Sequence, residues 1–239
     1  MIVVDQHFKF WGMQYPIGLH MAAPSVIIRL AHPEKDTGHI NDIYRIINTA
    51  YRTDAGWTHE EHLIADDRIS LEGVKEALED TLCPLVLAFD QASGKVIGTL
   101  QLDPAERSPG LGFYTVNKEE EERIQENGTK KNRGENLSTP SPYKESLPKE
   151  QQIFVGLFSV DPTQQSRGIG RKLFEYGLDY AKETLGRRQA VVTVLFQRTE
   201  LLDMYQRFGF VDYGEKLAYP EPNFVLQEDV HFSVLRRAL

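Results

Sequence analysis

The sequence has one cysteine, no long apolar run and no excess of basic residues, and each shortage excludes a class of protein. Cys83 alone cannot form a disulfide within the chain, which favours a reducing, cytoplasmic setting. No apolar stretch approaches the roughly 20 residues that a membrane-spanning helix needs. The formal net charge is −8. General nucleic-acid binding, which relies on neutralising phosphates, is therefore not expected.

Candidate nucleophiles and metal ligands are also scarce. Cys83 precedes Pro84, but no histidine motif accompanies it, so we predict a small buried hydrophobic side chain rather than a nucleophile. His59 and His62 stand three residues apart on a predicted helix, which is a spacing used by metal ligands, but no third ligand is indicated. We therefore expect these histidines to lie on a solvated helix face without a metal.

The most informative stretch runs from Phe154 to Leu185. Its first part, Phe154 to Val160, is apolar and ends at Asp161-Pro162, and proline cannot continue a central strand. After a short polar turn, apolar residues recur at helical spacing from Ile169 to Leu185, and Gly186 stands at a helix C-cap position. This stretch is therefore predicted to form a strand, a tight loop and a helix.

The loop in this stretch has the features of an anion-binding site. The backbone N–H groups at a helix N-terminus lack intrahelical partners and carry the positive end of the helix dipole. Gly168 and Gly170 allow the backbone to approach a ligand closely. Arg167, Arg171 and Lys172 add formal positive charge. A diphosphate is the ligand that this combination favours.

Two motifs in this half of the chain resemble one known superfamily. Gln165-x-x-Gly168-x-Gly170, directly after a strand, resembles the acyl-CoA loop of the GNAT superfamily of N-acyltransferases. The segment from Leu202 to Phe210, with Tyr205 inside it, is similar to that superfamily's Leu-Tyr-x-x-x-Gly-Phe segment. A dinucleotide-binding loop would instead need a third glycine where Leu173 stands. The chain is therefore identified as a member of the GNAT superfamily.

The order of the predicted elements agrees with this resemblance, which covers roughly residues 26–103 and 151–235. It implies an α/β fold whose mixed, mostly antiparallel central sheet is flanked by helices and splays between the fourth and fifth strands. The predicted strands span residues 26–30, 85–89, 95–102, 154–160, 189–196, 210–213 and 230–235. The predicted helices span residues 40–51, 69–81, 169–185 and 198–208, with one more opening at Trp57 behind a Thr58–Glu61 capping box.

Residues 25–239 are predicted to form a single domain with two unusual segments. Residues 1–24 have no clear period and form either an N-terminal extension or a cloning-derived segment that ends before Met21. Residues 104–150 are predicted to be a flexible insertion because they hold too few aliphatic residues to offset the ordering entropy. Within the insertion, residues 111–116 suggest an extra strand or a lid.

The resemblance implies that acetyl-CoA is the co-substrate, with its pantetheine arm in the gap between the fourth and fifth strands. No metal is expected to take part. Tyr205 matches the superfamily's general acid, since a tyrosine hydroxyl suits proton donation to a thiolate of similar basicity. The residues expected to bind acetyl-CoA are Phe158, Ser159, Val160, Gln165, Ser166, Arg167, Gly168, Ile169, Gly170 and Arg171.

The general base is where the chain departs from the superfamily pattern. Many members carry a glutamate on the fourth strand, at positions where this chain has Gly156 and Leu157. The acceptor amine is then expected to lose its proton through water or to another group. The alternative bases are Asp54, Glu60, Glu61, Asp103 and His231.

The acceptor-binding residues are expected to include Tyr51, Arg52, Trp57 and Arg198. Arg52 and Arg198 either bind a substrate carboxylate or form structural ion pairs with Glu60 or Glu200. The predicted function is transfer of an acetyl group to an amine of a small molecule, by direct attack in a ternary complex. The alternatives are a protein or peptide N-acetyltransferase and a non-catalytic acyl-CoA-binding protein. No feature of the sequence sets the oligomeric state.

Overall fold

The computed structural model describes residues 25–53, 55, 60, 62–65, 67–107, 146–219, 222–227 and 229–239. These described residues include seven strands and four α-helices. The strands are β1 (Val26–Leu30), β2 (Leu85–Asp90), β3 (Val96–Pro104), β4 (Gln152–Val160), β5 (Gln189–Leu195), β6 (Val211–Ala218) and β7 (His231–Ala238). The helices are α1 (Ile40–Arg52), α2 (Leu71–Glu79), α3 (Ile169–Glu183) and α4 (Thr199–Arg207). None of these helices is long and apolar enough to cross a membrane.

The seven strands make one sheet in the order β1-β2-β3-β4-β5-β7-β6. Strands β4 and β5 are parallel, and every other neighbouring pair is antiparallel. The β4–β5 ladder has only three pairs, from Gln152↔Gln189 to Phe154↔Val191. Beyond Phe154 the two strands diverge, which confirms the predicted mostly antiparallel sheet that splays at the fourth and fifth strands.

A bulge in β4 accompanies this divergence. The register of β4 against β3 shifts between Thr99 and Gln101. Opposite this shift, Leu157 has φ +45°, a left-handed conformation that is strained for a residue with a bulky side chain. Leu157 is nevertheless buried, and its carbonyl accepts a hydrogen bond from the Thr99 hydroxyl at 2.6 Å. A bulge bends the strand that carries it, so this one helps to turn β4 away from β5.

Helices cover both faces of the sheet around β2, β3 and β4. Leu85, Leu87 and Phe89 pack in one cluster with residues of α1 and α2, whereas Val86 and Ala88 pack in another cluster with residues of α3. Side chains alternate between the two faces of a strand, so a strand covered on both faces must be apolar at almost every position. This explains why the sequence of β2 is a continuous hydrophobic run.

Helix α1 is tied to the segment before α2 by a buried asparagine. The Asn48 side chain donates to the carbonyl of Ile69 at 2.9 Å and accepts from the backbone N–H of Arg68 at 2.7 Å. Buried polar groups are stable when their hydrogen bonds are made, so Asn48 fixes the position of Arg68 relative to α1. This position matters for the site described below.

Two helical predictions have different outcomes. The prediction for residues 69–81 is confirmed by α2, whose N-cap Ser70 accepts a hydrogen bond from the N–H of Gly73. In the helix predicted from Trp57, residues 57–59 and 61 lie outside the described residues, as does the Thr58–Glu61 capping box. The described residues that follow form a turn, in which the carbonyl of Glu60 accepts from the N–H groups of Leu63 and Ile64.

The last two strands are longer than predicted, because β6 continues to Ala218 and β7 to Ala238. Strand β6 lies at the edge of the sheet, where alternate residues are exposed. Its sequence is therefore too polar to predict a strand along its whole length. Residues 1–24 and 111–116 of the sequence predictions lie outside the described residues.

The predicted insertion at residues 104–150 can be tested by deletion. Its two ends are held close together, because Pro104 of β3 pairs with Ile153 of β4. We expect deletion of residues 118–143 to leave the free energy of unfolding within about 1 kcal/mol of the parent, since loop length itself contributes little. Urea unfolding followed by circular dichroism would measure it. A shortened chain that fails to fold would show that the segment contributes to the core.

Deletion of residues 118–148, in contrast, is expected to destabilise the fold. The buried Gln152 side chain donates to the Ser146 hydroxyl at 3.1 Å and to the carbonyl of Leu147. Deletion of residues 118–148 removes both acceptors and is expected to cost about 1–3 kcal/mol, the usual cost of leaving a buried donor without a partner. Equal stability of the two deletion variants would contradict this role of Ser146 and Leu147.

Acid stability is expected to depend on Asp36, which is 2% exposed. Its carboxylate accepts two hydrogen bonds from Arg29 and one from the backbone N–H of His32, all at 2.7 Å. The bonds from Arg29 hold the pKa of the Asp36 carboxyl below its ordinary value, against the opposite effect of burial. The carboxylate therefore stabilises the fold above its unfolded pKa of about 3.9, and this contribution is lost as the pH falls through the lower folded pKa.

We expect Asp36→Asn to lower the free energy of unfolding at pH 7 by about 1.5–3 kcal/mol, the usual contribution of a hydrogen bond to a charged group. The variant should also lose less stability than the parent as the pH falls below about 4. Urea unfolding at a series of pH values measures both effects. Asp179→Asn, on the exposed face of α3, is the matched control. A variant with the parent's pH profile would contradict the assignment.

Candidate active site

A cavity of about 340 Å³, here called the large cavity, lies between the N-terminus of α3, the end of β4 and one face of α4. Nine of the ten residues predicted to bind the cofactor line it, together with Tyr205 and two of the predicted acceptor residues. The lining residues are Ala50, Tyr51, Phe158, Ser159, Val160, Gln164, Gln165, Ser166, Gly168, Ile169, Gly170, Arg171, Arg198, Leu201, Met204, Tyr205 and Phe208. Arg167 is the tenth predicted cofactor residue; it is exposed and donates to the side chain of Gln164.

The loop that opens α3 has the geometry expected of an anion site. Gly168 is the N-cap residue with φ +74°, a left-handed conformation that glycine adopts without strain. A Cβ placed on Gly168 would meet nothing within 4 Å, so the space beside the loop is open. The first N–H groups of α3, from Ile169 onwards, have no acceptor one turn earlier in the helix. This combination fits the diphosphate of coenzyme A.

Several contacts hold the loop in place. The side chain of Gln165 donates to the carbonyl of Val160 at 3.2 Å, which ties the loop to the end of β4. Asp161 accepts from the backbone and the hydroxyl of Thr163 at 3.0 and 2.7 Å, and from Arg45 of α1 at 2.9 Å. Burial alone would raise the pKa of the Asp161 carboxyl, but the bonds from Thr163 and Arg45 hold it below its ordinary value. The carboxylate thus stays charged and keeps the loop anchored.

Helix α3 and strand β4 approach closely at Gly170. A Cβ on Gly170 would lie 3.3 Å from the ring of Phe158 and 3.5 Å from a methyl group of Val160. The carbonyl of Phe158 accepts a hydrogen bond from the Tyr51 hydroxyl at 3.3 Å. Because β4 has left β5 at this point, the edge of β4 that faces β5 can offer backbone groups to a ligand. The amide groups of a pantetheine arm have the matching donors and acceptors.

Tyr205 lies on α4 and is 7% exposed. Its ring centroid is 5.8 Å from that of Phe174 and 5.7 Å from that of Phe210, which fixes the side chain on the wall of the large cavity. Burial raises the pKa of the Tyr205 hydroxyl well above its ordinary value; Tyr51 adds to the rise and Arg198 opposes it. Tyr205 is therefore protonated at neutral pH, as a proton donor must be.

A second cavity of about 40 Å³, here called the small cavity, is lined by Tyr205 together with residues of β4 and β5 where these strands diverge. Tyr51, Arg198, Leu201 and Tyr205 line both cavities. The remaining residues of the small cavity are Glu60, Arg68, Phe154, Val155, Gly156, Thr193, Val194, Leu195, Tyr219 and Phe232. A molecule in the small cavity and one in the large cavity would therefore meet at Tyr205.

Arg52 and Arg198 both pair with Glu60, which is 6% exposed. Arg198 donates to Oε2 of Glu60 at 3.0 Å, and Arg52 donates to Oε1. This ion pairing with Glu60 is the alternative that the sequence predicts to carboxylate binding. The cluster of these three residues, here called the arginine triad, links α1 to the start of α4 and borders the small cavity. Trp57, the other predicted acceptor residue, lies outside the described residues.

Of the predicted alternative bases that the structure describes, Glu60 is the one that shares a cavity with Tyr205. Asp54 and Glu61 lie outside the described residues. Asp103 accepts from the thiol of Cys83 at 3.4 Å and lines neither cavity. His231 stacks on Phe196 with ring centroids 4.3 Å apart, and it also lines neither cavity. Both oxygens of Glu60 accept from guanidinium groups.

Cys83 is buried, in line with its predicted role as a small apolar side chain. Burial raises the pKa of its thiol well above the ordinary value, and the nearby Asp103 and Asp80 add to this effect. The thiol is thus a poor nucleophile and lines neither cavity. Within the described residues, no group of three or more histidine, cysteine, aspartate or glutamate side chains could hold a metal ion.

Three residues that line the large cavity were not predicted from the sequence. Leu201, Met204 and Phe208 line the large cavity beside Tyr205. Leu201 stands four residues before Tyr205 and Phe208 three residues after it, so both share its face of α4, and Met204 directly precedes it. That spacing was visible in the sequence and could have identified them once Tyr205 was assigned to the site.

Comparison with known proteins supports the assignment of the chain to the GNAT superfamily. The model of the acetyltransferase (GNAT) family matches residues 40–210. Comparison of the sequence with curated proteins gives no significant match. Similar solved structures include Arabidopsis thaliana NAA60 in complex with acetyl-CoA, at a TM-score of 0.56 and 12% identity, over 90% of this chain and 99% of that one.

Two bacterial structures are similar to the same extent. The Salmonella typhimurium protein yncA with acetyl-CoA has a TM-score of 0.53 and 14% identity, over 90% of this chain and 94% of that one. Spermidine/spermine N-acetyltransferase SpeG from Vibrio cholerae has a TM-score of 0.51 and 12% identity, over 89% and 92% of the chains. At these identities the likeness concerns the fold, whereas the family match covers more than half of the chain. The chain belongs to the acetyltransferase (GNAT) family.

Proposed function

We propose that the protein transfers the acetyl group of acetyl-CoA to the amine of a small molecule, by direct attack while both substrates are bound. The observation that carries this proposal is the meeting of the two cavities at Tyr205. The large cavity would hold the pantetheine arm and the diphosphate, and the small cavity would admit the amine. Bound acetyl-CoA would supply an acyl group already activated as a thioester.

Residues of the chain would bind and orient the co-substrate and supply the proton for the leaving group. The N–H groups at the start of α3 and the open edge of β4 would hold and orient the co-substrate. Tyr205 would donate its hydroxyl proton to the departing sulfur and regain one from solvent. Cys83 is buried away from both cavities, which argues against an acetylated enzyme and in favour of direct transfer.

The small cavity favours a small acceptor over a protein or peptide. Its volume of about 40 Å³ leaves room beside Tyr205 for a few non-hydrogen atoms of an acceptor. Leu195, Tyr219 and Phe232 form apolar walls around it. We also propose a cytoplasmic setting, for which the single cysteine is the support.

The proposal is tested by incubating the full chain with acetyl-CoA and a library of primary amines, and by measuring CoA release together with the mass of the products. Acetylation of one or more small amines, dependent on the enzyme, is the expected result. Acetylation of peptide N-termini alone would favour the peptide alternative. Binding of acetyl-CoA without acetylation of any amine would favour a non-catalytic role.

A further inference from the structure

A third cavity, of about 330 Å³, lies beside the large cavity, between α3 and the end of α4. Its lining includes three basic side chains, those of Arg171, Arg207 and Arg237, and one acidic side chain, that of Glu175. The lining side chains therefore carry a net formal charge of +2. Arg207 and Arg237 line neither the large nor the small cavity, so acetyl transfer at Tyr205 does not account for them.

The acidic side chain compensates little of this positive charge. Oε1 of Glu175 lies 3.9 Å from Nε of Arg171, and the two side chains are 60% and 64% exposed. Ion pairs as exposed as this one are weak, because water and salt screen the charges. Within the part of the chain that the structure describes, Arg207 and Arg237 have no ion-pair partner. The third cavity therefore offers guanidinium groups to an anionic ligand.

Two of the three guanidinium groups are positioned by contacts with Phe208. Nη1 of Arg237 donates to the carbonyl of Phe208 at 2.7 Å, and the guanidinium carbon of Arg171 lies 5.8 Å from the centroid of the Phe208 ring. Gly209, with φ +83°, allows the chain to turn directly after Phe208. A guanidinium group has five N–H donors, so Arg237 keeps several for a ligand after its bond to Phe208.

The third cavity begins where the large cavity ends, because Arg171 and Phe208 line both. Arg171 directly follows Gly170 and lies in the first turn of α3, whose N–H groups form the expected diphosphate site. Glu175 lies six residues after Ile169, which is only about 9 Å along the helix. A ligand whose diphosphate lies at the start of α3 would therefore have access to both cavities.

We propose that the third cavity binds the 3′-phosphate of the CoA ribose, and that Arg207 lets the enzyme distinguish CoA from 3′-dephospho-CoA. This inference rests on the proposed binding of the pantetheine arm and the diphosphate in the large cavity. The 3′-phosphate is attached to the ribose whose 5′ oxygen carries the diphosphate, so the two anionic groups are one sugar ring apart. A phosphate monoester carries a charge of about −1.5 to −2 at neutral pH. Arginine binds its oxygens in a bidentate manner.

The test measures the Kd of the full chain for CoA and for 3′-dephospho-CoA by isothermal titration calorimetry. We expect the parent to bind CoA more tightly by about tenfold or more, the usual contribution of a hydrogen bond between charged groups. In Arg207→Gln, the Kd for CoA should rise by about fivefold or more, because one of the three guanidinium groups is lost. The Kd for 3′-dephospho-CoA should change less than about twofold, since that ligand lacks the 3′-phosphate.

Lys182→Gln is the control for net charge. Lys182 is an exposed cation on the same helix as Arg171, about 16 Å further along it. This variant should leave both Kd values within about twofold of the parent. Thermal melting without ligand shows whether Arg207→Gln is folded, and we expect the melting temperature of the parent because Arg207 is exposed. A purely structural role of Arg207 would weaken the binding of both ligands equally and would contradict the inference.

The remaining outcomes separate this inference from the proposed function. Equal Kd values of the parent for CoA and 3′-dephospho-CoA would overturn the inference and leave the proposed function intact. Binding of inorganic phosphate to the CoA-saturated parent, lost in Arg207→Gln, would show that the third cavity holds a separate anion, and would also overturn the inference. If neither CoA nor 3′-dephospho-CoA binds, the inference and the proposed use of acetyl-CoA fail together.

Discussion

Replacing Tyr205 with phenylalanine is expected to lower kcat by about 100-fold or more and to leave the affinity for CoA within about twofold of the parent. The substitution removes only the hydroxyl. The ring, which packs against Phe174 and Phe210, remains. General acids contribute about 100- to 10,000-fold, equivalent to about 3–5 kcal/mol of barrier. The lower end is expected here, since a thiolate is a tolerable leaving group even without a proton.

The measurement is steady-state transfer to an active amine, with CoA binding measured in parallel. Tyr180→Phe is the matched control, because this half-buried tyrosine packs against the core from α3 and lines neither cavity. Turnover by Tyr205→Phe within twofold of the parent would rule out proton donation by Tyr205. Equal losses of turnover and of CoA binding would assign the residue to packing instead.

The second large effect is expected at the loop before α3. Gly168→Asp should abolish the rise in melting temperature that CoA causes in the parent. The new residue would place a carboxylate and a Cβ where the diphosphate is expected, on a backbone with φ +74°. For the parent, CoA at 100 times its Kd stabilises by about 2.7 kcal/mol. For a domain of this size that corresponds to a shift of about 5–11 °C.

The control for Gly168→Asp lies at the other end of the same helix. Gly186 also has a left-handed backbone, with φ +65°, and a Cβ on it would likewise meet nothing within 4 Å. Gly186→Asp therefore brings a similar backbone strain and the same charge, but far from the large cavity. It should lower the melting temperature without reducing the shift caused by CoA. A full shift in Gly168→Asp would contradict the assignment of the loop.

The central strand, loop and helix could be predicted from sequence because their signals are local. An apolar run, a proline and two glycines mark the end of β4 and the start of α3. The helix predicted from Trp57 shows the limit of such signals. Its described continuation is a turn, which is held by a bridge between Ile64 and Val225. That contact joins residues far apart in the sequence, and no local pattern reveals it.

In the candidate site too, the residues that belong to a local motif could be predicted, whereas contacts between distant residues could not. The loop residues and Tyr205 follow from motif spacing, and the large cavity brings all of them except Arg167 together. The arginine triad could not be predicted as a unit, because Glu60 and Arg198 are 138 residues apart. The residue types suggested either carboxylate binding or an ion pair, and only the fold decides which partner Arg198 meets. The single-residue bulge at Leu157 likewise has no marker in the sequence.

Where the short β4–β5 ladder ends, the candidate site consists of two cavities whose walls are largely separate. The large cavity is built mainly from β4, α3 and α4, whereas the small cavity draws on Glu60, Arg68 and the strands beyond the gap. Only Tyr51, Arg198, Leu201 and Tyr205 belong to both. An engineer could therefore vary the walls of the small cavity to seek new acceptors without disturbing the binding of the acetyl donor. The same separation would let one scaffold acquire different acceptor specificities during evolution.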